Sequence, residues 1–277
     1  MSTHTNHTNS TETTPDKSFT PASEGQAGRK FVDIRIKRRD RPDAEQRWEE
    51  FRVPYRPNLN IISCLMDIQK NPVTKDGTRT TPVVWDMNCL EQVCGICTMI
   101  VNGKVRQSCS ALVDQLLKEK DPITLEPMTK FPNVRDLAVD RSRMFEHLKQ
   151  VKAWIEIDGT HDLGPGPKMT QDEVAERYAY SRCMTCGCCL EACPQYDGDQ
   201  YIGPQAIAQV RYQNMHPSGR MTRDERLEGI MGDDGITNCG NAQNCVRVCP
   251  MSIPLTKAIY EENRETILHG LFGWLKR

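Results

Sequence analysis

No apolar run in the sequence approaches the roughly 20 residues needed to cross a bilayer, so no membrane span is expected. The N-terminus has no basic region followed by an apolar core, so no secretory signal is expected either. Aromatic residues make up only 6 % of the chain, which argues against a base-stacking platform. The net charge is −1, which gives no footprint for a nucleic-acid partner. There is no nucleophile elbow, no Gly-rich phosphate loop and no convincing acid–base pair. Cysteine, by contrast, is abundant, with 13 in 277 residues. An odd number, grouped at two-residue gaps and without a secretion signal, points to metal in a reducing compartment rather than to disulfides.

The densest run is Cys183-Met-Thr-Cys186-Gly-Cys188-Cys189-Leu-Glu-Ala-Cys193-Pro194. Taking Cys183, Cys186, Cys189 and Cys193 gives C-x2-C-x2-C-x3-C-P, the spacing of bacterial ferredoxins. Two-residue gaps wrap a tight loop around one cube. The three-residue gap sends the fourth sulfur to a second cluster, and Pro194 fixes the chain direction. A second run, Cys239-Gly-Asn-Ala-Gln-Asn-Cys245-Val-Arg-Val-Cys249-Pro250, fits the same template with Ala242 in the place of a ligand. By the crossing rule, Cys249 completes a 4Fe–4S site with Cys183, Cys186 and Cys189. Cys193, Cys239 and Cys245 are left as three thiolates, which suits a 3Fe–4S centre. The alternative is a full cube with a fourth ligand that is not cysteine. Cys188 does not fit the template and reads as a packed thiol beside the cluster.

A third site lies upstream. Cys89-Leu-Glu-Gln-Val-Cys94-Gly-Ile-Cys97 is C-x4-C-x2-C, and Cys109 follows after eleven residues, the plant-type spacing of a 2Fe–2S centre. Gly95 lets backbone N–H groups approach the cluster sulfides. Asn102-Gly103 is a hairpin signal between Thr98 to Val101 and Lys104 to Gln107, and the hairpin would return Cys109 to the loop. Four thiolates also suit tetrahedral zinc, but the x4 gap and Gly95 favour 2Fe–2S. Cys64 has no cysteine at ligand spacing and reads as a small buried hydrophobe.

Residues 1–28 are poor in large apolar side chains and read as a disordered tail, with His4 and His7 part of a solvated stretch. Phe31 to Lys37 alternates as a half-buried strand, and Trp48 to Tyr55 pairs with it across a charged turn. Asn58 to Gln69 is a short helix, and Pro122 to Pro127 a last strand. The spacing predicts helices over Arg141 to Ile155, Gln171 to Tyr180 (capped by Thr170), Pro204 to Met215, Thr222 to Met231 and residues 253–274. Met144, Phe145, Leu148, Val151 and Trp154 are the expected core face of the first of these. Gly159 to Lys168 reads as loop, and His216 as structural. The fold class is α+β: a 2Fe–2S domain over 29–135 and a helical domain with two clusters over 136–277.

The order of these runs resembles the iron–sulfur subunit family of succinate dehydrogenase and fumarate reductase. The likeness spans about residues 30 to 275 and includes Thr81-Pro-Val-Val-Trp-Asp, Val134-Arg-Asp-Leu, Val139-Asp-Arg-Ser-Arg-Met, Lys152-Ala-Trp-Ile and Gly164-Pro-Gly-Pro. With Cys239-Gly-Asn-Ala-Gln-Asn-Cys245, these look most like the menaquinone-linked enzymes of Gram-positive bacteria. The resemblance implies a β-grasp plant-type domain and a helical bacterial-ferredoxin-like domain. It implies electron transfer from the FAD of a flavoprotein subunit, through 2Fe–2S, 4Fe–4S and 3Fe–4S, to quinone at a membrane-anchor subunit with haem b. It also implies a peripheral position on the cytoplasmic face of the cell membrane. Pro194 matches the family proline beside the quinone. Gly198 and Gly240 stand where ubiquinone enzymes carry Trp and His, a departure compatible with menaquinone. Other outcomes are a quinol:fumarate reductase subunit, a different electron-carrying subunit, a free ferredoxin or a zinc-stapled adaptor. The near-neutral charge disfavours the free carrier.

Overall fold

The computed structural model describes residues 28–156 and 166–273. The expected N-terminal tail up to residue 27, most of the Gly159 to Lys168 loop and the basic tip at Lys276 and Arg277 lie outside the described residues.

β1 (Phe31–Arg38) buries Val32, Ile34 and Ile36 on one face, as its alternation requires. β2 (Arg47–Pro54) pairs with it antiparallel, Ile34 opposite Phe51. α1 (Ile61–Lys70) starts at Asn60, whose side chain accepts the Ser63 N–H at 2.8 Å. It buries Ile61, Ile62, Leu65 and Ile68 in the same core as the strands, with Cys64 among them. Burial pushes the Cys64 thiol up to about 12, as an inert packed residue requires. β3 (Thr98–Val101) and β4 (Lys104–Gln107) form the expected hairpin, with both Asn102 and Gly103 in the left-handed region that the turn demands. α2 (Val113–Glu119) follows. β5 (Ile123–Glu126) then inserts between β1, to which it is parallel, and β3, to which it is antiparallel. The sheet order β2-β1-β5-β3-β4, with α1 packed on it, is a β-grasp arrangement. Strand β5 therefore fills the centre of the sheet, a position that its own residues do not reveal.

The two halves interlock over 128–139. Met128 and Phe131 pack in the helical core, while Leu137 packs in the sheet core. Between β6 (Asn133–Arg135) and β7 (Ala138–Val139), the buried Asp136 carboxylate accepts Arg38 Nε at 2.8 Å, the Arg39 N–H at 3.1 Å and the Val84 N–H at 2.9 Å. Arg38 is fully buried and also meets Glu49 at 2.6 Å. A desolvated pair of this kind is costly to break, since one charge would be left alone.

The remainder is helical: α3 (Ser142–Gln150), α4 (Gln171–Ser181), α5 (Cys188–Glu191), α6 (Gly203–Asn214), α7 (Arg223–Gly229), α8 (Asn244–Val248) and α9 (Leu255–Phe272). Thr170 caps α4 through a capping box with Glu173. Helix α6 is buried over most of its surface, and α9 packs along it. Two expectations are corrected. The helix expected over Arg141 to Ile155 stops at Gln150, and Lys152 turns into the left-handed region. Buried Arg226 is the physical reason: its Nε donates to the Lys152 carbonyl at 2.9 Å and a terminal nitrogen to the Trp154 carbonyl at 2.7 Å, fixing that segment outside a helix. Met144 and Val151 are buried as expected, but Phe145 is 53 % and Trp154 44 % exposed. The helix expected over Thr222 to Met231 is present as α7, and a 3₁₀ turn over Gly219–Thr222 leads into it.

Replacing Asp136 by Ala is expected to lower stability by ~3–5 kcal/mol, because buried Arg38 then keeps only Glu49 as a counter-charge and the Arg39 and Val84 N–H groups lose their acceptor; equilibrium denaturation measures it. A second expectation concerns pH. Burial pushes the Glu262 carboxyl on α9 up from 4.5 to about 7, partly offset by Arg211 at 3.8 Å and by Asn214 Nδ2, which donates at 3.2 Å. An acid raised by folding weakens the fold as pH climbs from 4.5 to about 7, and the full cost applies above that. Glu262→Gln should therefore raise the melting temperature above pH 7, by the equivalent of about 3 kcal/mol at most. The gain should fade as pH falls through this window.

Candidate metal centres

The first cysteine loop follows a backbone that few sequences accept. Leu90, Gln92 and Gly95 all have positive φ. These turns aim the N–H groups of Glu91, Val93 and Cys94 at Cys89 Sγ, at 3.4, 3.4 and 3.3 Å. The backbone donors hold the Cys89 thiol down at about 7. That is a cradle for a thiolate. The β3–β4 hairpin sets Thr98 opposite Gln107, so Cys97 and Cys109 come side by side and the Ser108 N–H donates to the Cys97 carbonyl at 3.2 Å. Hydrogen bonding from the Cys109 thiol lowers Cys97 to about 6 and raises Cys109. Met87, Leu90, Val93 and Ile96 stand exposed around the loop.

The second group is enclosed. Cys183, Cys186, Cys189 and Cys249 feel one another's charge. Burial raises Cys183 to about 11 and pushes Cys189 and Cys249 upward. Cys186 is raised by its hydrogen bond with Cys188 and then by burial. The Ile253 N–H donates to Cys249 Sγ at 3.4 Å. Such thiols ionise only against a strong local positive charge, and metal ions supply one.

The third group lines one cavity: Cys193, Cys239 and Cys245, with Pro194, Tyr201 and Ala242. Ala242 thus borders the same space as the three cysteines. Burial raises Cys245 to about 11, helped by the charges of Cys193 and Cys239. Helices α5 and α8 bring the second and third groups together, with Asn244 Nδ2 donating to the Ala192 carbonyl at 3.1 Å. Pro194 is exposed at the cavity edge. Among the described residues, no three His, Cys, Asp or Glu side chains converge as ligands of one metal ion. Three and four neighbouring thiols with backbone donors suit iron–sulfur cages.

Residues other than the candidate ligands shape how the cysteine loops meet. A methyl on Gly95 would lie 2.8 Å from Cys186 Cβ and 2.8 Å from the Met184 carbonyl, so the first two cysteine loops touch. Arg141 clamps the contact, donating to the carbonyls of Gly95 at 2.8 Å and Ile96 at 2.5 Å. Gln107 bridges it: the Cys97 thiol donates to its Oε1 at 3.5 Å, and its Nε2 donates to Cys188 Sγ at 3.7 Å. Cys188 is buried and packed between the two groups. The places beside Gly198 and Gly240 are filled: a methyl would overlap Arg143 at the first and meet Gln195 Nε2 at 2.5 Å at the second.

Comparison with known proteins agrees with this geometry. A 2Fe-2S iron-sulfur cluster binding domain matches residues 33–146, and a 4Fe-4S dicluster domain matches residues 179–253. The sequence is 56 % identical over 242 residues to the succinate dehydrogenase iron-sulfur subunit of Bacillus subtilis, covering 87 % of this chain and 94 % of that one. The chain belongs to the family of succinate dehydrogenase and fumarate reductase iron–sulfur subunits. It is also 27 % identical to the fumarate reductase iron-sulfur subunit of Wolinella succinogenes, over 86 % of this chain and 98 % of the other. In fold, this iron–sulfur subunit is similar to a chain of the Mycobacterium smegmatis Sdh1 complex in the apo form. The TM-score is 0.70 at 22 % identity, over 85 % of this chain and 95 % of that one.

Substituting Gly95 by Ala in the iron–sulfur subunit should force the first two loops apart, since φ there is +73° and the methyl has no room. The strain alone costs ~1–3 kcal/mol. The expected result is a reduced 2Fe–2S signal and a lower iron content, read by EPR and iron analysis; full occupancy would contradict the contact.

Proposed function

We propose that this chain is the electron-transfer subunit of a succinate:menaquinone oxidoreductase, receiving electrons from the FAD of a flavoprotein subunit and delivering them to quinone at a membrane-anchor cytochrome b subunit. In this reading Cys89, Cys94, Cys97 and Cys109 hold 2Fe–2S. Cys183, Cys186, Cys189 and Cys249 hold 4Fe–4S, and Cys193, Cys239 and Cys245 hold 3Fe–4S. Such clusters, when bound, supply one-electron transfer, while the protein supplies spacing and surroundings.

The observation that carries the reading is the succession of three cysteine groups. The first stands at an exposed apolar loop and touches the second through Gly95. The second abuts the third through α5 and α8. A chain of neighbouring centres with an apolar surface at its entry suits donor and acceptor held by other subunits. At the far end, Thr256 and Ile259 of α9 line the third cavity, and the same helix exposes Tyr260, Ile267, Leu271 and Phe272. That face suits the anchor subunit. No described helix is long and apolar enough to cross a membrane, and the proposed location is peripheral, on the cytoplasmic face of the cell membrane.

Succinate oxidation is favoured over fumarate reduction by the 56 % identity to a succinate dehydrogenase subunit against 27 % to a fumarate reductase subunit. Menaquinone is supported by Gly198 and Gly240, at the places where ubiquinone enzymes carry Trp and His. Arg143 and Gln195 fill the space beside these glycines.

Low-temperature EPR on the assembled complex tests the reading. A 3Fe signal when oxidised, lost with succinate and joined by a 2Fe signal, is expected. A silent oxidised sample would mean a full cube at the third site. Reduction by dithionite but not by succinate would remove the succinate assignment. Ala242→Cys should convert the 3Fe signal toward that of a cube and lower its potential, because a fourth thiolate adds negative charge.

A further inference from the structure

Tyr201 precedes α6 and is buried to 1 % exposure. It lines the third cavity together with Cys193, Cys239, Ala242 and Cys245. Its hydroxyl is buried and has no oxygen or nitrogen partner. Leaving such a group unsatisfied costs about 1–3 kcal/mol, so a buried tyrosine hydroxyl without a partner calls for an explanation. The sulfurs around it offer one. The Cys239 thiol is the side chain it faces, and the charges of Cys239, Cys193 and Cys245 act on it. A tyrosine hydroxyl keeps its proton at neutral pH, so here it can act as a neutral donor.

We infer that the Tyr201 hydroxyl donates a hydrogen bond to a sulfur of the centre held by Cys193, Cys239 and Cys245, and thereby raises the reduction potential of that centre. This rests on the proposed assignment of a 3Fe–4S centre to those three residues. Hydrogen bonds to cluster sulfurs stabilise the more negative, reduced state, and they are one of the protein's means of setting a potential. The centre has only three thiolates to anchor it and lies at the end of the succession. A donor at this point favours reduction of the last centre relative to the one before it. A tyrosine that merely filled space would leave the potential alone.

The test is Tyr201→Phe in the assembled complex, with Tyr196→Phe as control. Tyr196 is also buried with an unpartnered hydroxyl, but it packs beside Cys189 of the second group. Each variant removes a single hydroxyl and keeps the buried ring, so the fold is retained. A potentiometric EPR titration of the 3Fe signal reads the result. Tyr201→Phe is expected to weaken reduction of that centre about tenfold, a downward shift of about 59 mV for one electron. Tyr196→Phe should leave the same midpoint in place. Pulsed EPR in D2O should also show one exchangeable proton coupling present in the natural protein and absent from Tyr201→Phe. An unshifted 3Fe midpoint in Tyr201→Phe overturns the inference while leaving the cluster assignment standing. A natural complex without any 3Fe signal overturns the assignment itself, and the inference with it.

Discussion

The contact between Gly95 and the backbone of Cys186 is the constraint on which the arrangement of the chain depends. Two cysteine loops from different cores can come this close only if one of them lacks a side chain. The sheet domain presents its loop through the β3–β4 hairpin, and the helical domain presents its own through α4 and α5. Arg141 then holds the carbonyls of the first loop, and Gln107 bridges the thiols of Cys97 and Cys188 across the seam. Tunnelling between centres needs short distances, and the fold meets that need by removing one Cβ.

The second theme is burial of groups that resist it. Arg38 with Asp136, and Arg226 with five acceptors, are buried charges whose donors are satisfied. They fix the segment joining the cores and the end of α3. Cys183, Cys189 and Cys249 of the second group, and Cys245 of the third, are also thiols whose ionisation burial pushes up, and Cys186 is raised by its hydrogen bond with Cys188 and then by burial. Cluster binding relieves that cost, so assembly of the centres and folding of the helical half are coupled. The first loop differs: backbone donors already lower Cys89, in keeping with an exposed site at the surface.

Much of the local structure was legible. The alternation of Phe31 to Lys37, the Asn102-Gly103 turn and the capping box at Thr170 all produce the elements expected, because each is decided by neighbours in sequence. The helix expected through Ile155 was not legible, since Arg226, distant in sequence, takes the carbonyls that would have continued it. The insertion of β5 beside β1 and the interlocking of the cores over 128–139 were equally hidden. The cysteine spacing pointed to three centres, but it could not point to Gln107, Arg141 or Tyr201, which packing alone brings to the cysteine groups.

The sequence by itself determined the family, the kind of chemistry and the candidate ligands. Thiol spacing along a chain sets which sulfurs can wrap one cluster, and that is a local property. Only the tertiary structure decided how the groups stand to one another, which hydroxyl faces which sulfur and which apolar residues remain exposed. Those are distances between residues far apart in the chain, and they follow from how two cores pack, not from any run of neighbours.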